Sequence, residues 1–333
     1  IAQSDFLVSK DPWFRPVDIK IGPDGAMYIA DFYNRIIGHY EVPLDHPGID
    51  RVSGRIWKIT YKGNSRKVTD WSKASQDDLI QAMGNSILQL RMVATDELVD
   101  RFGMNAIPAL AKMVENKKTS PEQLIQGLWA LYRLDALPDN VLQNSLEYPD
   151  RKVRLHAYKI LSNYSQHTEE QFATAISDLT DSDPHVQRAA AEFLSLHPNE
   201  MAYKKLIELH SNIPEYDTHL AYTMVMALSN HFQEKEILQM AVKENWDEKQ
   251  AKVVALVISD LNVSEAGDFL LAHLNKFQES DRNSIGFTET IAKTISPSKI
   301  ENLLQWVKQK SEAEAKGLSN CSYCAIGHEA RKT

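Results

Sequence analysis

The sequence predicts a mainly α-helical fold, an α–α superhelix of stacked helical hairpins that follows one small antiparallel β-sheet. Residues 12–62 have the pattern of short strands, since 17–21 alternates apolar and polar side chains and a Gly-Pro-Asp-Gly turn at 22–25 separates it from the next apolar run. Further on, the stretch 150–161 returns at 183–194, and a repeat period of 20 to 50 residues indicates a solenoid. The matching positions, each 33 residues apart, are Asp150 and Asp183, Val153 and Val186, Ala157 and Ala190, and Leu161 and Leu194.

The β part, residues 1–62, is predicted to contain four short strands. These are 17–21, 26–31, 35–40 and 54–61, with a tight turn at 22–25 and a long Pro-containing loop at 41–53. Four antiparallel strands in about 50 residues is the size of one β-propeller blade. A single blade has exposed edges and a bare face, so we expect its natural context to be a larger propeller.

Two runs in this part carry a resemblance to a known family. Residues 13–18 (Trp-Phe-Arg-Pro-Val-Asp) and 22–39 resemble the closing propeller blade of planctomycete-type membrane-bound dehydrogenases, and 44–48 and 53–57 fit the same pattern. In that family a propeller similar to that of soluble sugar dehydrogenases precedes HEAT-like helices and a c-type cytochrome domain. The resemblance therefore implies a blade at 1–62, a HEAT-like solenoid at 77–317 and the start of a cytochrome at 318–333.

The helical array is predicted to follow a linker at 63–76. Its repeated stretch has the chemistry of an amphipathic helix, since Asp caps the start while Val, Ala and Leu at steps of four form one apolar stripe. One hairpin cannot bury that stripe alone, so several must stack. About seven hairpins are expected, with helices at 77–102 and 104–116, 121–134 and 139–147, 150–161 and 168–179, 183–194 and 199–212, 217–231 and 234–244, 248–261 and 264–277, and 280–295 and 298–316.

Helix starts in the array are marked by capping residues. Four side chains of the types that cap helix N-termini precede or open predicted helices. They are Ser120, Asp183, Asp217 and Ser264.

The composition argues against a nucleic-acid-binding protein and against a membrane-spanning one. The 333 residues carry a net charge of −8 without any dense block of Lys and Arg, which argues against a nucleic-acid partner. The longest apolar run, 253–258, is far shorter than the roughly 20 residues that a membrane helix needs. We therefore expect no membrane span.

Because the first residue is Ile1 and no leader precedes the first strand, we expect the N-terminus to be a cut through a longer chain.

Candidate catalytic residues fall at or after the end of the second predicted strand and in the loop that follows the third. Propellers place ligand contacts at strand ends, and an imidazole titrates in the range suited to acid–base work. By resemblance these side chains would help to form the mouth of a catalytic propeller with a carbohydrate substrate. The competing interpretation is that Asp31 and Asn34 close a turn and that the histidines are structural. The candidates are Asp31, Asn34, Arg35, His39 and His46.

The C-terminal tail resembles the start of a c-type haem domain. Cys321 and Cys324 have the spacing whose thiols bind haem c through thioethers, and the axial histidine should come next. Here His328 comes four residues after Cys324, and only nine residues follow Cys324. We expect a truncated, disordered stub that encloses no haem, with haem c belonging to a longer parent protein. Two Cys and one His are too few ligands for a closed tetrahedral zinc site, so no metal is predicted.

The histidines of the array show no pair at metal-ligand spacing, and we place them on the surface. These are His156, His185, His197, His210, His219, His231 and His273. Trp129, Trp246 and Trp306 are predicted to pack between hairpins, although an exposed Trp on a concave face would be an anchor for a partner.

Two functions of different classes remain open. In the first, the chain is part of a periplasmic or otherwise extracytoplasmic propeller–HEAT–cytochrome c oxidoreductase, and the array is a scaffold, spacer and interaction surface for a protein partner or for the neighbouring domains. In the second, it is a non-catalytic module that binds protein or carbohydrate. We expect no dehydrogenase activity and no Soret band from this chain by itself.

Overall fold

The computed structural model describes residues 5–36, 42–43, 45–62 and 68–315, and the chain divides into two compact units. The N-terminal unit is Ile1–Val141 and the C-terminal unit is Leu142–Thr333. Within the described ranges, none of the helices has both the length and the hydrophobicity that crossing a bilayer requires.

The β part is a small antiparallel sheet at the start of the N-terminal unit. Its three described strands, β1 (Pro16–Ile21), β2 (Met27–Asp31) and β3 (Arg55–Ile59), lie in the order β1-β2-β3. The turn between β1 and β2 is closed by Asp24, whose Oδ1 accepts a hydrogen bond of 3.1 Å from the Ala26 N–H. Gly25 has φ +76°, a conformation that favours glycine at this turn.

The sheet differs from the four strands predicted. Because β3 pairs directly with β2, the fourth predicted strand takes the place expected for the third. Of the predicted strand 35–40, residues 35 and 36 form a bend, and the other four lie outside the described residues. The physical reason is a contact of Asn34, whose buried side-chain oxygen accepts a hydrogen bond of 3.3 Å from the Ile36 N–H. Because this N–H is bonded to a nearby side chain, it is not available to pair with a neighbouring strand.

The rest of the described chain is helical. Short 3-10 turns precede α1, α3 and α15. The helices are α1 (Gln76–Ala82), α2 (Leu88–Phe102), α3 (Ile107–Glu115), α4 (Pro121–Arg133), α5 (Asp139–Leu146), α6 (Arg151–Leu161), α7 (Glu169–Asp178), α8 (Pro184–Leu196), α9 (Ala202–His210), α10 (Thr218–His231), α11 (Lys235–Lys243), α12 (Glu248–Ile258), α13 (Ser264–Lys276), α14 (Asp281–Thr294) and α15 (Ile300–Ala315).

The helix predicted at 77–102 is in fact two helices. The break falls at Gly84 and Asn85, between α1 and α2. The Asn85 side chain accepts from the Ile87 N–H at 2.9 Å, and Arg91 Nη1 donates to the Asn85 carbonyl at 2.7 Å. These side-chain contacts replace the helical hydrogen bonds there and turn the chain. As a result α1 packs back on α2.

Successive first helices of the hairpins pack on one another. In the C-terminal unit α6 contacts α8, α8 contacts α10 and α10 contacts α12, while α11 contacts α13 in the second layer. The repeated apolar positions lie in these seams, and all six have no exposed area: Val153, Ala157, Leu161, Val186, Ala190 and Leu194. The helical-hairpin array that the repeat predicts is therefore present in this unit.

Both repeated aspartates cap a helix, and one of them also contacts the preceding hairpin. Asp150 caps α6 through the Lys152 N–H, and Asp183 caps α8 through the His185 N–H. Asp183 also accepts a hydrogen bond of 2.9 Å from Arg151, so one carboxylate both opens its own helix and ties it to the preceding hairpin. The two copies of the repeat therefore share the cap, and the contact between hairpins is made by Asp183.

The predicted caps agree with the structure at three of four positions. Ser120 and Asp217 cap α4 and α10 through their side chains, as Asp183 does for α8. Ser264 is not a cap, because the N-cap position of α13 is Val263 and the Ser264 hydroxyl donates to Glu265 instead.

Candidate functional site

Asp31 lies at the end of β2, and its carboxylate is buried beneath the sheet edge. One oxygen accepts from the N–H groups of Arg15 at 2.8 Å and Tyr33 at 3.0 Å. The other accepts from Arg55 Nε at 3.1 Å and Trp57 Nε1 at 3.0 Å. With four donors around it, this carboxylate joins the β1 end, β2 and β3.

The charge of Asp31 is fixed by these contacts. Burial by itself raises the pKa of Asp31, but hydrogen bonds from Arg15, Trp57 and Tyr33 and the charge of Arg55 outweigh it and hold the pKa below its ordinary value. Asp31 is therefore an ionised acceptor at neutral pH. These contacts explain its burial without a role in catalysis.

Arg55 is the cation of this network. It forms ion pairs of 3.1 Å with both Asp11 and Asp31, and its guanidinium lies 3.6 Å from the centroid of the Tyr33 ring. The Trp57 ring is 5.1 Å away on the same strand. Two carboxylates and two aromatic rings thus hold Arg55 in one position.

Asn34 belongs to a separate set of contacts. Its Nδ2 donates to the Asp50 carbonyl at 2.6 Å, and its Oδ1 accepts from the Asp50 N–H at 3.2 Å, which fastens the loop before β3. In that loop, His46 Nδ1 accepts from the Gly48 N–H at 3.0 Å. Among the described residues no hydrogen bond joins Asp31, Asn34 and His46 to one another.

The remaining predicted site residues are either exposed or outside the described part of the chain. Arg35 is exposed. His39, Cys321, Cys324 and His328 lie outside the described residues. The catalytic and haem-binding roles implied by the resemblance therefore stay predictions, and within the described part of the chain no three His, Cys, Asp or Glu side chains are placed to hold a metal ion.

The surface position predicted for the array histidines is wrong for His231 and His273, which are buried. His231 Nδ1 bonds to the Ala227 carbonyl at 2.8 Å. His273 Nε2 lies 2.7 Å from Glu279 Oε1, and both side chains are almost fully enclosed. Glu279 also accepts from Asn283 Nδ2 at 3.1 Å, so the pair joins the end of α13 to the start of α14.

Two adjoining cavities lie on the second helices of three successive hairpins in the C-terminal unit, and we call them together the α9–α13 groove. The larger, about 480 Å³, has walls that include Met201, Tyr203 and Met240. The smaller, about 180 Å³, lies against α13. Glu244 and Asn245 line both cavities and form the boundary between them.

The small cavity has aromatic walls. Trp246, Phe269 and Phe277 line it together with His273. Phe269 and His273 lie four residues apart on one face of α13, and Phe277 follows four residues later, directly after the helix ends. The ring centroids of Phe269 and Phe277 lie 6.2 Å and 5.3 Å from that of His273. This spacing was a signal in the sequence that could have identified the site.

Trp246 is held in a fixed orientation. Its Nε1 donates to the Ala241 carbonyl at 2.8 Å, and its ring meets Tyr203 edge to face at 6.5 Å between centroids. It is thus a packing residue between hairpins, as predicted, and also a wall of the groove.

Two of the titratable groups that line the groove are engaged by other side chains. Its buried imidazole, His273, is engaged by Glu279, and Glu244 forms an ion pair of 2.6 Å with Lys204. Among the described residues that line the two cavities there is no Cys or Ser. An apolar groove with charged side chains at its edge has the composition of an interaction surface.

Comparisons with known proteins add limited information. The family model described as "Domain of unknown function (DUF7133)" matches residues 1–63, which leaves all the α-helices outside the match. No curated protein matches the chain. Among solved structures the chain is similar to the CpcE–CpcF complex of phycocyanin lyase from Nostoc sp. PCC7120, with 18% identity, a TM-score of 0.35, and coverage of 68% of this chain and 97% of that one.

Proposed function

We propose that the helical array is a protein-binding scaffold and that the α9–α13 groove is its recognition surface. The observation that carries this proposal is a pair of adjoining cavities, lined by Met, Trp and Phe side chains, in a unit whose repeated apolar positions are already buried. Met201 is left exposed at the groove, whereas Trp246 both packs between hairpins and lines the small cavity. Aromatic and Met side chains at a concave surface are the usual anchors for a protein partner.

The larger cavity of the groove is lined by two methionines, whose flexible side chains can adapt to a partner. Met201 is 62% exposed at its edge, and Met240 lines the opposite side. A thioether side chain changes rotamer at little cost and fits different shapes. The rigid wall at Trp246 and the adaptable wall at Met201 together suit a partner segment that lies across both cavities.

The wider role of the chain is also a proposal. By the family resemblance, we place the array as a spacer and interaction surface between a dehydrogenase propeller and a haem c domain in an extracytoplasmic oxidoreductase. One observation supports the propeller: Ile19 and Trp57 share a face of the sheet with buried Ile29, yet they are 56% and 42% exposed. An apolar sheet face of this kind packs against a further sheet in a propeller.

The haem part of this proposal has no support from geometry. Cys321, Cys324 and His328, the residues that would hold a haem, lie outside the described residues.

The protein-binding proposal is tested by selecting a phage-displayed random peptide library on the immobilised full chain. Ala272 is exposed and lines the small cavity, so Ala272→Phe fills that cavity without disturbing the core. Ala173, exposed on α7 and outside both cavities, is the matched control as Ala173→Phe. We expect enriched peptides that bind the wild type and the control equally and bind Ala272→Phe about tenfold more weakly.

Two outcomes would overturn the protein-binding proposal. One is that no peptide is enriched over the bare support. The other is that the enriched peptides bind Ala272→Phe as well as they bind Ala173→Phe, because they would then contact another surface.

A further inference from the structure

The small cavity of the α9–α13 groove has the size of one aromatic ring. A dry cavity of roughly 150 Å³ is known to hold benzene, and this one measures about 180 Å³. Trp246, Phe269 and Phe277 provide ring surfaces, and Trp246 is held by its bond to Ala241. Ring stacking in offset or edge-to-face geometry would add to the apolar burial of a planar guest.

An aromatic-walled cavity of this kind would often bind a cation, but its charges argue against one here. The Lys276 ammonium lies 4.8 Å from the centroid of the Phe277 ring, so the protein's own cation already takes a cation–π position. A second cation in the cavity would meet this charge at close range. Cationic guests are therefore disfavoured.

The charges at the edge favour an anion. Lys276 and Lys243 form no ion pair within the described part of the chain, and they line the small and the large cavity respectively. The carboxylate of Glu244 is compensated by Lys204 at 2.6 Å, and Glu279, which does not line the groove, is engaged with His273 and Asn283. Glu200 is the remaining acid at the larger cavity. The uncompensated charge beside the small cavity is thus the ammonium of Lys276.

We propose that the small cavity takes an aromatic side chain of the partner segment that lies next to a carboxylate, with the ring between Trp246 and Phe277 and the carboxylate at Lys276. This inference rests on the proposed protein-binding function and specifies the chemistry of the partner.

Three small probes that differ mainly in charge test this chemistry on the full chain: toluene, phenylacetate and benzylammonium. Ligand-observed NMR titration measures their dissociation constants. We expect phenylacetate to bind about threefold more tightly than toluene, which is the usual size of an exposed charge interaction. Benzylammonium should bind most weakly. Lys276→Gln should remove the advantage of phenylacetate and leave toluene unchanged.

Variants in the cavity separate specific from general binding. Ala272→Phe should abolish the binding of toluene and phenylacetate, whereas Ala173→Phe should not change it. The inference is overturned if benzylammonium binds as tightly as phenylacetate, if phenylacetate does not bind at all, or if Ala272→Phe still binds it.

This test and the peptide selection can fail separately. Peptides that depend on the groove but share no aromatic residue beside an acid would overturn this inference and leave the protein-binding function intact. Phenylacetate binding with the expected preferences, together with no enriched peptide, would support the cavity chemistry and overturn the protein-binding function.

Discussion

The sheet of the N-terminal unit and the helices of the C-terminal unit are stabilised in opposite ways. Ionised carboxylates hold the sheet together: Asp31 joins its strands, and Asp24 accepts from Tyr28 and pairs with Lys58 at 2.5 Å. The helices are held by apolar seams, and two histidines, His231 and His273, are buried among them. One chain therefore contains two regions that should respond differently to substitution and to acid.

The pKa of a carboxylate in the sheet and the pKa values of three histidines in the helices are lowered, but these groups act at different pH. In the sheet, hydrogen bonds from Lys58 and Ala26 lower the pKa of Asp24 to about 2. In the helices, burial lowers the pKa of His156, His210 and His231. A group with a lowered pKa stabilises the fold above its unfolded pKa, and that stability is lost as the pH falls below it. The carboxylates thus respond below about pH 4, and the histidines already below about pH 6.5.

The largest expected effect is in a helical seam. Leu194→Ala removes a fully buried side chain from α8, so the free energy of unfolding of the C-terminal unit should fall by about 3 kcal/mol. Leu196→Ala changes the same residue type two positions on, where the side chain is 59% exposed, and should cost less than about 0.5 kcal/mol. Urea unfolding followed by helical circular dichroism measures both. Equal losses would contradict the assignment of the seam.

In the sheet, removal of the Asp31 carboxylate should lower the local stability nearly as much as Leu194→Ala lowers that of the helices. Asp31→Ala leaves Arg55 and the Trp57 N–H without their buried acceptor, and we expect a local loss of about 2 kcal/mol. Hydrogen exchange of β2 and β3 amides should accelerate while α8 amides are unchanged. Asp18→Ala, which removes an exposed carboxylate, is the control. Unaltered exchange in Asp31→Ala would show that the carboxylate does not hold the sheet.

Two glycines test how closely the helices approach. A Cβ on Gly267 in α13 would lie 2.7 Å from the backbone nitrogen of Ile295, so Gly267→Ala should destabilise the unit by about 2 kcal/mol. A Cβ on Gly286 in α14 meets no atom within 4 Å, and Gly286→Ala should stabilise it by about 0.5 kcal/mol. Thermal unfolding of the two variants should therefore shift in opposite directions, and shifts of the same sign would refute the close approach.

The smallest expected effect is the loss of helix stability in mild acid, to which His197 contributes. The His167 and His197 rings lie 4.1 Å apart between centroids, and burial, with the neighbouring His197 in the case of His167, lowers their pKa values. The urea concentration at the midpoint of helix unfolding should therefore decrease as the pH is lowered from about 7.5 to about 5.5. His197→Phe should reduce this fall, whereas His185→Phe, at an exposed position of α8, should not. A pH-independent midpoint in the wild type would contradict the effect.

Local chemistry made much of the helical part predictable. The repeat 33 residues apart predicted the buried stripe, since a period of four on a capped helix places Val, Ala and Leu on one face. Asp150 and Asp183 cap their helices because an acceptor before the first turn meets free N–H groups. Both features depend only on residues within one helix.

Contacts between distant residues explain the predictions that were wrong. A third strand was expected at 35–40, but Asn34 bonds to Asp50 across 16 residues and to the Ile36 N–H, and residues 35 and 36 form a bend. His273 was placed on the surface because the array histidines show no pair at metal-ligand spacing, whereas Glu279 reaches it from beyond the end of α13. Neither partner can be identified from the local pattern.

By itself the sequence determined the class of fold, the order of sheet and helices and the face of each repeated helix that is buried, because these follow from the spacing of apolar and capping residues along one element. Only the tertiary structure decided that Trp246 and Phe277 form one cavity and that Asp31 faces Arg55 and Trp57. Those groups come together through packing between separate elements, and the spacing of residues within one element does not specify which elements meet.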